Sequence, residues 1–256
     1  MSGNQQGYVR TERHGLSMTI EFYSPQSNSL PGDLLSELAT QIHSAGLDDE
    51  VKLILLRSAG DRAFCGGASF AELSRIQTAQ EGEDFFSGFA HVINSMRKCP
   101  KFIICRVQGK AVGGGLGLIA ASDYAIALTG AEVRLSELSL GIGPFVIGPP
   151  VERKIGHSAF SQLAIDASSW RTAEWAKSRG LYAEVHTNAE LMDESIARLA
   201  DHLVHSSAEA MHEMKKVFWE GTNHWDHLLA ERAKISGRLV LGAVAQAAIR
   251  KVSAKV

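Results

Sequence analysis

Residues Val112 to Asp123 read VGGGLGLIAASD, four glycines within five positions followed by an apolar run that suits a helix. Three readings of this bare backbone are open. As a dinucleotide fingerprint, Gly115 to Ala120 fits G-x-G-x-x-A, with the acid Glu137 about twenty residues on. Against it, Gln108 to Val112 separate the glycines from the preceding strand, and the next strand ends in Ala127-Leu128-Thr129 instead of an acid. As a structural turn, the glycines supply positive φ and close packing and nothing more. As an anion site, unpaired N–H groups at a helix N-terminus, reinforced by the helix dipole, face a phosphate or a carbonyl oxygen that gains charge in a transition state.

A second glycine turn bears on the choice. Arg62 to Leu73, RAFCGGASFAEL, follows the apolar strand Val51 to Leu56 (VKLILL) and also runs toward a helix. Two such turns suggest an oxyanion hole with two donors. Downstream, VRLSELSLGIGP (Val133 to Pro144) sets Glu137 among apolar residues, where loss of water raises a carboxyl pKa toward the range useful for proton transfer. The plainer alternative for a lone Glu is a solvated surface charge.

Outward from these motifs, Leu16 to Phe22 reads as a strand, Gly32 to Ala45 as an amphipathic helix, and Phe102 to Val107 and Tyr124 to Leu128 as further strands. Strands alternating with helices imply βαβ crossovers and an α/β core. Pro149-Pro150 is expected to break the chain, with a mainly helical region from about Ser158 that includes Leu191 to Val204, Ala208 to Trp219 and Trp225 to Val240. The expected division is residues 1–195 for the core and 196–256 for a C-terminal helical region.

The chain has 256 residues, 45% apolar and 21% charged, enough for one sizeable core. A formal net charge of −2 supplies no basic field, so neither nucleic acid nor an anionic membrane is an expected partner. Cys65, Cys99 and Cys105 are scattered without metal-ligand spacing, which argues for a reducing compartment and no metal site. With a polar N-terminus and no run of about 18 apolar residues, a cytoplasmic enzyme is the expectation.

Taken together, AFCGGASFAEL, VQGKAVGGGLGLIAASDYAIA, LSELSLGIGPF and AKSRGL resemble, in order and spacing, the crotonase superfamily, also called the enoyl-CoA hydratase/isomerase family. The resemblance implies a ββα spiral core, a C-terminal helical region that builds a homotrimer or a hexamer, and an acyl-CoA thioester as ligand. Coenzyme A then enters as part of the substrate and no separate cofactor is implied. Carried over by position, the N–H groups of Ala68 and Gly114 form the oxyanion hole. The loop Gly66, Gly67, Ala68, Ser69 and Phe70 lines the CoA path, and Glu137 is the acid/base. On that basis Gly114→Val is expected to crowd the ligand and cut kcat with the fold intact.

This chain also departs from the family. Hydratases that it resembles carry two glutamates around one water, the first two residues after the glycine triplet; here that position is Gly117. The aspartate that the dehalogenase and dienoyl-CoA isomerase branches place eight residues past Glu137 is Phe145. A single glutamate resembles the Δ3,Δ2-enoyl-CoA isomerase branch, in which one carboxylate makes both proton transfers. Isomerisation is therefore the favoured expectation, with hydration, decarboxylation and a non-catalytic CoA-binding protein as alternatives. His91, His157, Trp170 and Trp175 receive no role, and Phe85, Phe86 and Phe89 are core or acyl-pocket lining.

Overall fold

A computed structural model of the chain describes residues 6–253. It opens with an antiparallel hairpin of β1 (Tyr8–His14) and β2 (Ser17–Tyr23), turned at Gly15 with φ 59°. The expected first strand is β2. Strand β1 was not anticipated, because five of its seven residues are exposed and YVRTERH carries no apolar alternation. Helix α1 (Gly32–Leu47) buries Leu34, Leu35, Leu38 and Ile42 and returns the chain to β3 (Leu53–Ser58), parallel to β2.

The short α2 (Phe70–Leu73) and the long α3 (Ala79–Lys98) lead to β4 (Phe102–Val107). Then come β5 (Ala111–Val112), α4 (Gly114–Ala121), β6 (Tyr124–Leu128) and β7 (Val133–Arg134). The chain ends with α5 (Gly148–Ile165), α6 (Ala173–Ser178), β8 (Glu184–His186), α7 (Ala189–Val204), α8 (Ala208–Phe218), α9 (Trp225–Leu239) and α10 (Ala243–Ser253). Six strands form one sheet in the order β1-β2-β3-β4-β6-β8, parallel beyond the hairpin, while β5 and β7 pair in a second small sheet. Strands β3, β4 and β6 read as near-continuous apolar runs, as strands covered on both faces must.

One expectation needs correction. Pro149 and Pro150 do not break the chain; they sit in the first turn of α5, where a missing N–H costs nothing, and the helical region starts at Gly148, with a kink at Gly156 (φ 80°) just before Ser158. Helix α4 starts at Gly114, and all eight of its residues are buried, so it is apolar all round. The sequence reading also missed α3, although Thr78 and Glu81 mark its start. Thr78 Oγ1 accepts from the Glu81 N–H (3.2 Å) and Glu81 Oε2 from the Thr78 N–H (3.1 Å). The 195/196 division falls within α7.

Helix α3 buries Phe85, Phe86, Phe89, Ile93 and Met96 and lies against α9 with backbones nearly touching. A Cβ on Gly237 would stand 2.4 Å from the Glu83 nitrogen, and one on Gly82 2.7 Å from the Gly237 Cα. Among the described residues no helix is long and apolar enough to cross a membrane.

Helix α8 is tied to the sheet by charge. Buried Lys215 Nζ donates to Asp123 Oδ2 (2.7 Å) and to the Lys101 carbonyl (2.9 Å), while the same Asp123 oxygen accepts from the Ile103 N–H (2.7 Å). Removing one partner of a buried pair strands the other charge. Lys215→Met is thus expected to destabilise the fold by about 3–5 kcal/mol in denaturant titration, and Asp123→Asn in the same chain to recover part of that loss.

Candidate active site

The two glycine turns are stitched to one another. The Phe64 N–H donates to the Lys110 carbonyl (3.0 Å) and the Val112 N–H to the Cys65 carbonyl (2.9 Å). On its other side the first turn is held to the loop before α1, with Gly66 N–H on the Ser27 carbonyl (2.9 Å), Leu30 N–H on the Gly67 carbonyl (2.8 Å) and Ser69 N–H on the Leu30 carbonyl (3.2 Å). Gly67 has φ 86°, and a Cβ there would lie 2.8 Å from the Val112 carbonyl oxygen and 3.4 Å from the Gly114 nitrogen. Only glycine permits that approach.

Gly113 caps α4 with φ 53°, and its N–H donates to the Arg134 carbonyl on β7 (3.0 Å). After these pairings the N–H groups of Ala68 and Gly114 donate to no protein acceptor among the described residues. Both residues line one cleft that opens to solvent. The N–H of Gly114 also lies in the first turn of α4, where no intrahelical partner exists.

Glu137 faces the same cleft from the opposite loop. It precedes a 3₁₀ turn (Leu138–Leu140), and its carbonyl accepts from the Leu140 and Ile142 N–H groups at 3.0 and 3.1 Å, which fixes its backbone. A Cβ on Gly113 would reach within 2.6 Å of Glu137 Oε1, so the third requirement on that glycine is room for the carboxylate. Oε2 is out of solvent with no hydrogen-bond partner among the described residues. Burial pushes the carboxyl up to about 7, offset in part by its own backbone N–H and then by the Arg134 guanidinium.

The rest of the wall is apolar. Phe70, Phe86, Phe89, Leu140, Ile142 and Phe145 contribute to it, and Glu137 is the only carboxylate among the lining residues. Gly117 does not open onto this space. A Cβ there would meet Ile147 Cγ2 at 2.7 Å, so an apolar branch fills the volume that a side chain at position 117 would need, and Ile147 itself lines the cleft. Sequence reading missed Ile147, since nothing local in VIGPP connects it to a glycine thirty residues earlier.

Of the expected loop residues, Gly66, Gly67, Ala68 and Phe70 line the cleft together with Gly114, but Ser69 does not. Ser69 is buried and caps α2, its Oγ accepting from the Glu72 N–H at 3.4 Å. The expectation that Gly114→Val leaves the fold intact is also corrected. A Cβ at Gly114 falls 2.1 Å from the ring of Phe89, which is buried, so the core must move. His91 is exposed on α3 and His157 is an exposed partner of Glu152. Trp170 stacks against both Lys110 and Arg134, each 4.5 Å from the ring centroid. The dinucleotide reading fails on geometry, because the strand before the glycines is the two-residue β5 of the small sheet and Glu137 faces Gly113 across the cleft.

The family model described as enoyl-CoA hydratase/isomerase matches residues 13–249. Over 159 residues the chain is 33% identical to the mitochondrial methylglutaconyl-CoA hydratase of Homo sapiens, covering 62% of this chain and 46% of that one. It spans about half the length of such mitochondrial relatives. With the short-chain-enoyl-CoA hydratase of Clostridium acetobutylicum it shares 28% identity over 215 residues, 83% of this chain and 81% of the other. An enoyl-CoA hydratase structure from Bacillus halodurans shares the fold, with a TM-score of 0.87 at 21% identity over 95% of this chain and 99% of that one.

Two stability measurements check this geometry. A carboxyl whose pKa is raised on folding binds its proton more tightly in the native state, so its contribution to stability is present below about pH 4.5 and declines as pH rises toward 7. Glu137→Gln is therefore expected to raise Tm at pH 8 and to leave it nearly unchanged at pH 4. Gly117→Glu is expected to destabilise by about 1–3 kcal/mol through overpacking against Ile147, and the added change Ile147→Ala to recover most of it.

Proposed function

The chain belongs to the enoyl-CoA hydratase/isomerase family, and from that premise we propose that it shifts the double bond of a 3-enoyl-CoA thioester to the 2-position, with Glu137 as the single acid/base. The observation that carries this reading is one buried carboxyl, raised to about 7, in a cleft with two backbone donors unpaired and no second carboxylate among the described residues. In the ionised form Glu137 takes a proton from C2. The C2–H electron pair moves into conjugation with the carbonyl, and negative charge gathers on the thioester oxygen between the Ala68 and Gly114 N–H groups. Such donors act on charge that exists only after deprotonation, and one is typically worth about 3 kcal/mol of barrier. The dienolate then reforms its carbonyl as C4 takes the proton back from the Glu137 carboxylic acid, leaving the double bond between C2 and C3.

The missing side chain at Gly117 supports isomerisation over hydration. Water addition needs a nucleophile held and oriented, and Ile147 occupies the space beside Gly117 with a group that forms no hydrogen bond. An apolar wall also keeps water from the enolate. Hydration stands as the second reading, favoured by the names of the mitochondrial and clostridial relatives. In either reaction coenzyme A arrives as part of the substrate. Exposed Ile165, Val217, Phe218 and Val244 support self-association as part of the same proposal.

Assays with matched 3-enoyl-CoA and 2-enoyl-CoA thioesters separate the two. The expected result is turnover of the 3-enoyl ester with no hydrated product, and a fall of about a hundredfold or more in Glu137→Gln. The kcat/KM of the wild type should rise with pH through about 7 and then level, since the base must be ionised. Full activity in Glu137→Gln, or a profile flat from pH 5 to 9, overturns the assignment.

A further inference from the structure

The cleft wall holds two serines that the proton transfers do not use. Ser236, on α9, lines the cleft and is 1% exposed. Its Oγ makes no hydrogen bond to the protein among the described residues, although a helical serine ordinarily turns back to the carbonyl four residues earlier, as Ser206 does to His202 (2.9 Å). A hydroxyl with no protein partner can pair with a polar atom that enters the cleft beside it.

The packing of α9 explains how the hydroxyl comes to stand there. Gly237, the next residue, is in backbone contact with Gly82 and Glu83 on α3. That contact brings α9 to the part of α3 that carries Phe86 and Phe89, two aromatic walls of the same cleft. With a side chain at either glycine the two helices would stand further apart, and Ser236 would leave the wall. Apart from Glu137, the polar side chains on the wall are Ser136 and Ser236, and among the described residues no Lys, Arg or His lines it. Ser136 adjoins Glu137 in the chain, whereas Ser236 comes from the C-terminal helices. A charged acyl end would enter this wall with no cation to pair it. A neutral group that can donate or accept fits.

We propose that Ser236 is a specificity-determining residue that reads a neutral hydrogen-bonding group, a hydroxyl or a carbonyl, on the acyl chain beyond the reacting carbons. The inference rests on the reading of this cleft as an acyl-CoA site. It makes the acyl class a short neutral chain bearing oxygen, distinct from a plain alkyl chain and from one ending in carboxylate.

Calorimetric binding of saturated thioesters tests it without requiring turnover. The probes are pairs matched in heavy-atom count, from butanoyl-CoA against 3-hydroxypropanoyl-CoA to heptanoyl-CoA against 6-hydroxyhexanoyl-CoA, on the full chain. At the length that reaches Ser236, the wild type is expected to bind the hydroxyl-ended ester about five- to tenfold more tightly than its methyl-ended match, the range one hydrogen bond supplies. Ser236→Ala should abolish that preference while holding or improving affinity for the methyl-ended ester, and Ser236→Thr should retain it. Equal preference in wild type and Ser236→Ala at every length, or tighter binding of glutaryl-CoA than of either neutral ester, overturns the proposal. Loss of the preference in Ser236→Ala with no turnover of any enoyl-CoA by the wild type leaves the proposal standing and sinks the isomerase reading instead.

Discussion

The close approach of two glycine turns is the constraint on which the rest of the site depends. The Val112 N–H bonded to the Cys65 carbonyl, and Gly67 pressed against the Val112 carbonyl and the Gly114 nitrogen, bring loops nearly fifty residues apart into contact. A β-carbon at Gly67 or Gly113 would force them apart or push Glu137 out of place. Each turn spends its other hydrogen bonds on the scaffold, Gly66 and Gly67 on the segment before α1 and Gly113 on β7. The two N–H groups left over are therefore fixed by what their neighbours are doing, and this is the preorganisation that stabilising a developing oxyanion requires.

Burial does the complementary work on the acid. A carboxylate in water is a weak base near neutral pH, but Glu137 has lost its water to an apolar wall and its Oε2 has no protein partner among the described residues. The same desolvation that raises its pKa toward 7 costs native-state stability once it ionises, so the site is built against the fold's interest. Backbone hydrogen bonds from Leu140 and Ile142 to the Glu137 carbonyl hold the residue while its Oε2 has no partner among the described residues.

Gly117 and Ile147 show packing between distant segments deciding which group fills a volume. The residue two positions beyond the glycine triplet has no side chain, and the structure fills its space from another element with a branched aliphatic group. Hydrocarbon fills the volume beside Gly117, while Ala68, Gly114 and Glu137 line the cleft apart from it.

Much of the fold was legible because its signals are local. Apolar runs such as LILL and FIIC mark strands buried on both faces, and the helical spacing of Leu34, Leu35, Leu38 and Ile42 marks α1. The family motifs singled out Gly66, Ala68, Gly114 and Glu137, which the fold gathers around one cleft. What stayed hidden depends on contacts between distant segments. The exposed strand β1 has no periodicity to betray it, and its pairing partner alone makes it a strand. The capping by Ser69, the clash of any side chain at Gly114 with Phe89, the filling of the Gly117 space by Ile147 and the placing of Ser236 by the Gly82–Gly237 contact are all decided by which surfaces meet. The sequence by itself determined the elements and the chemical groups, since propensity and burial preference act along the chain. Only the tertiary structure decided which N–H groups remain unpaired, which carboxyl loses its water and which volume is already taken, because these are properties of space shared between residues far apart in sequence.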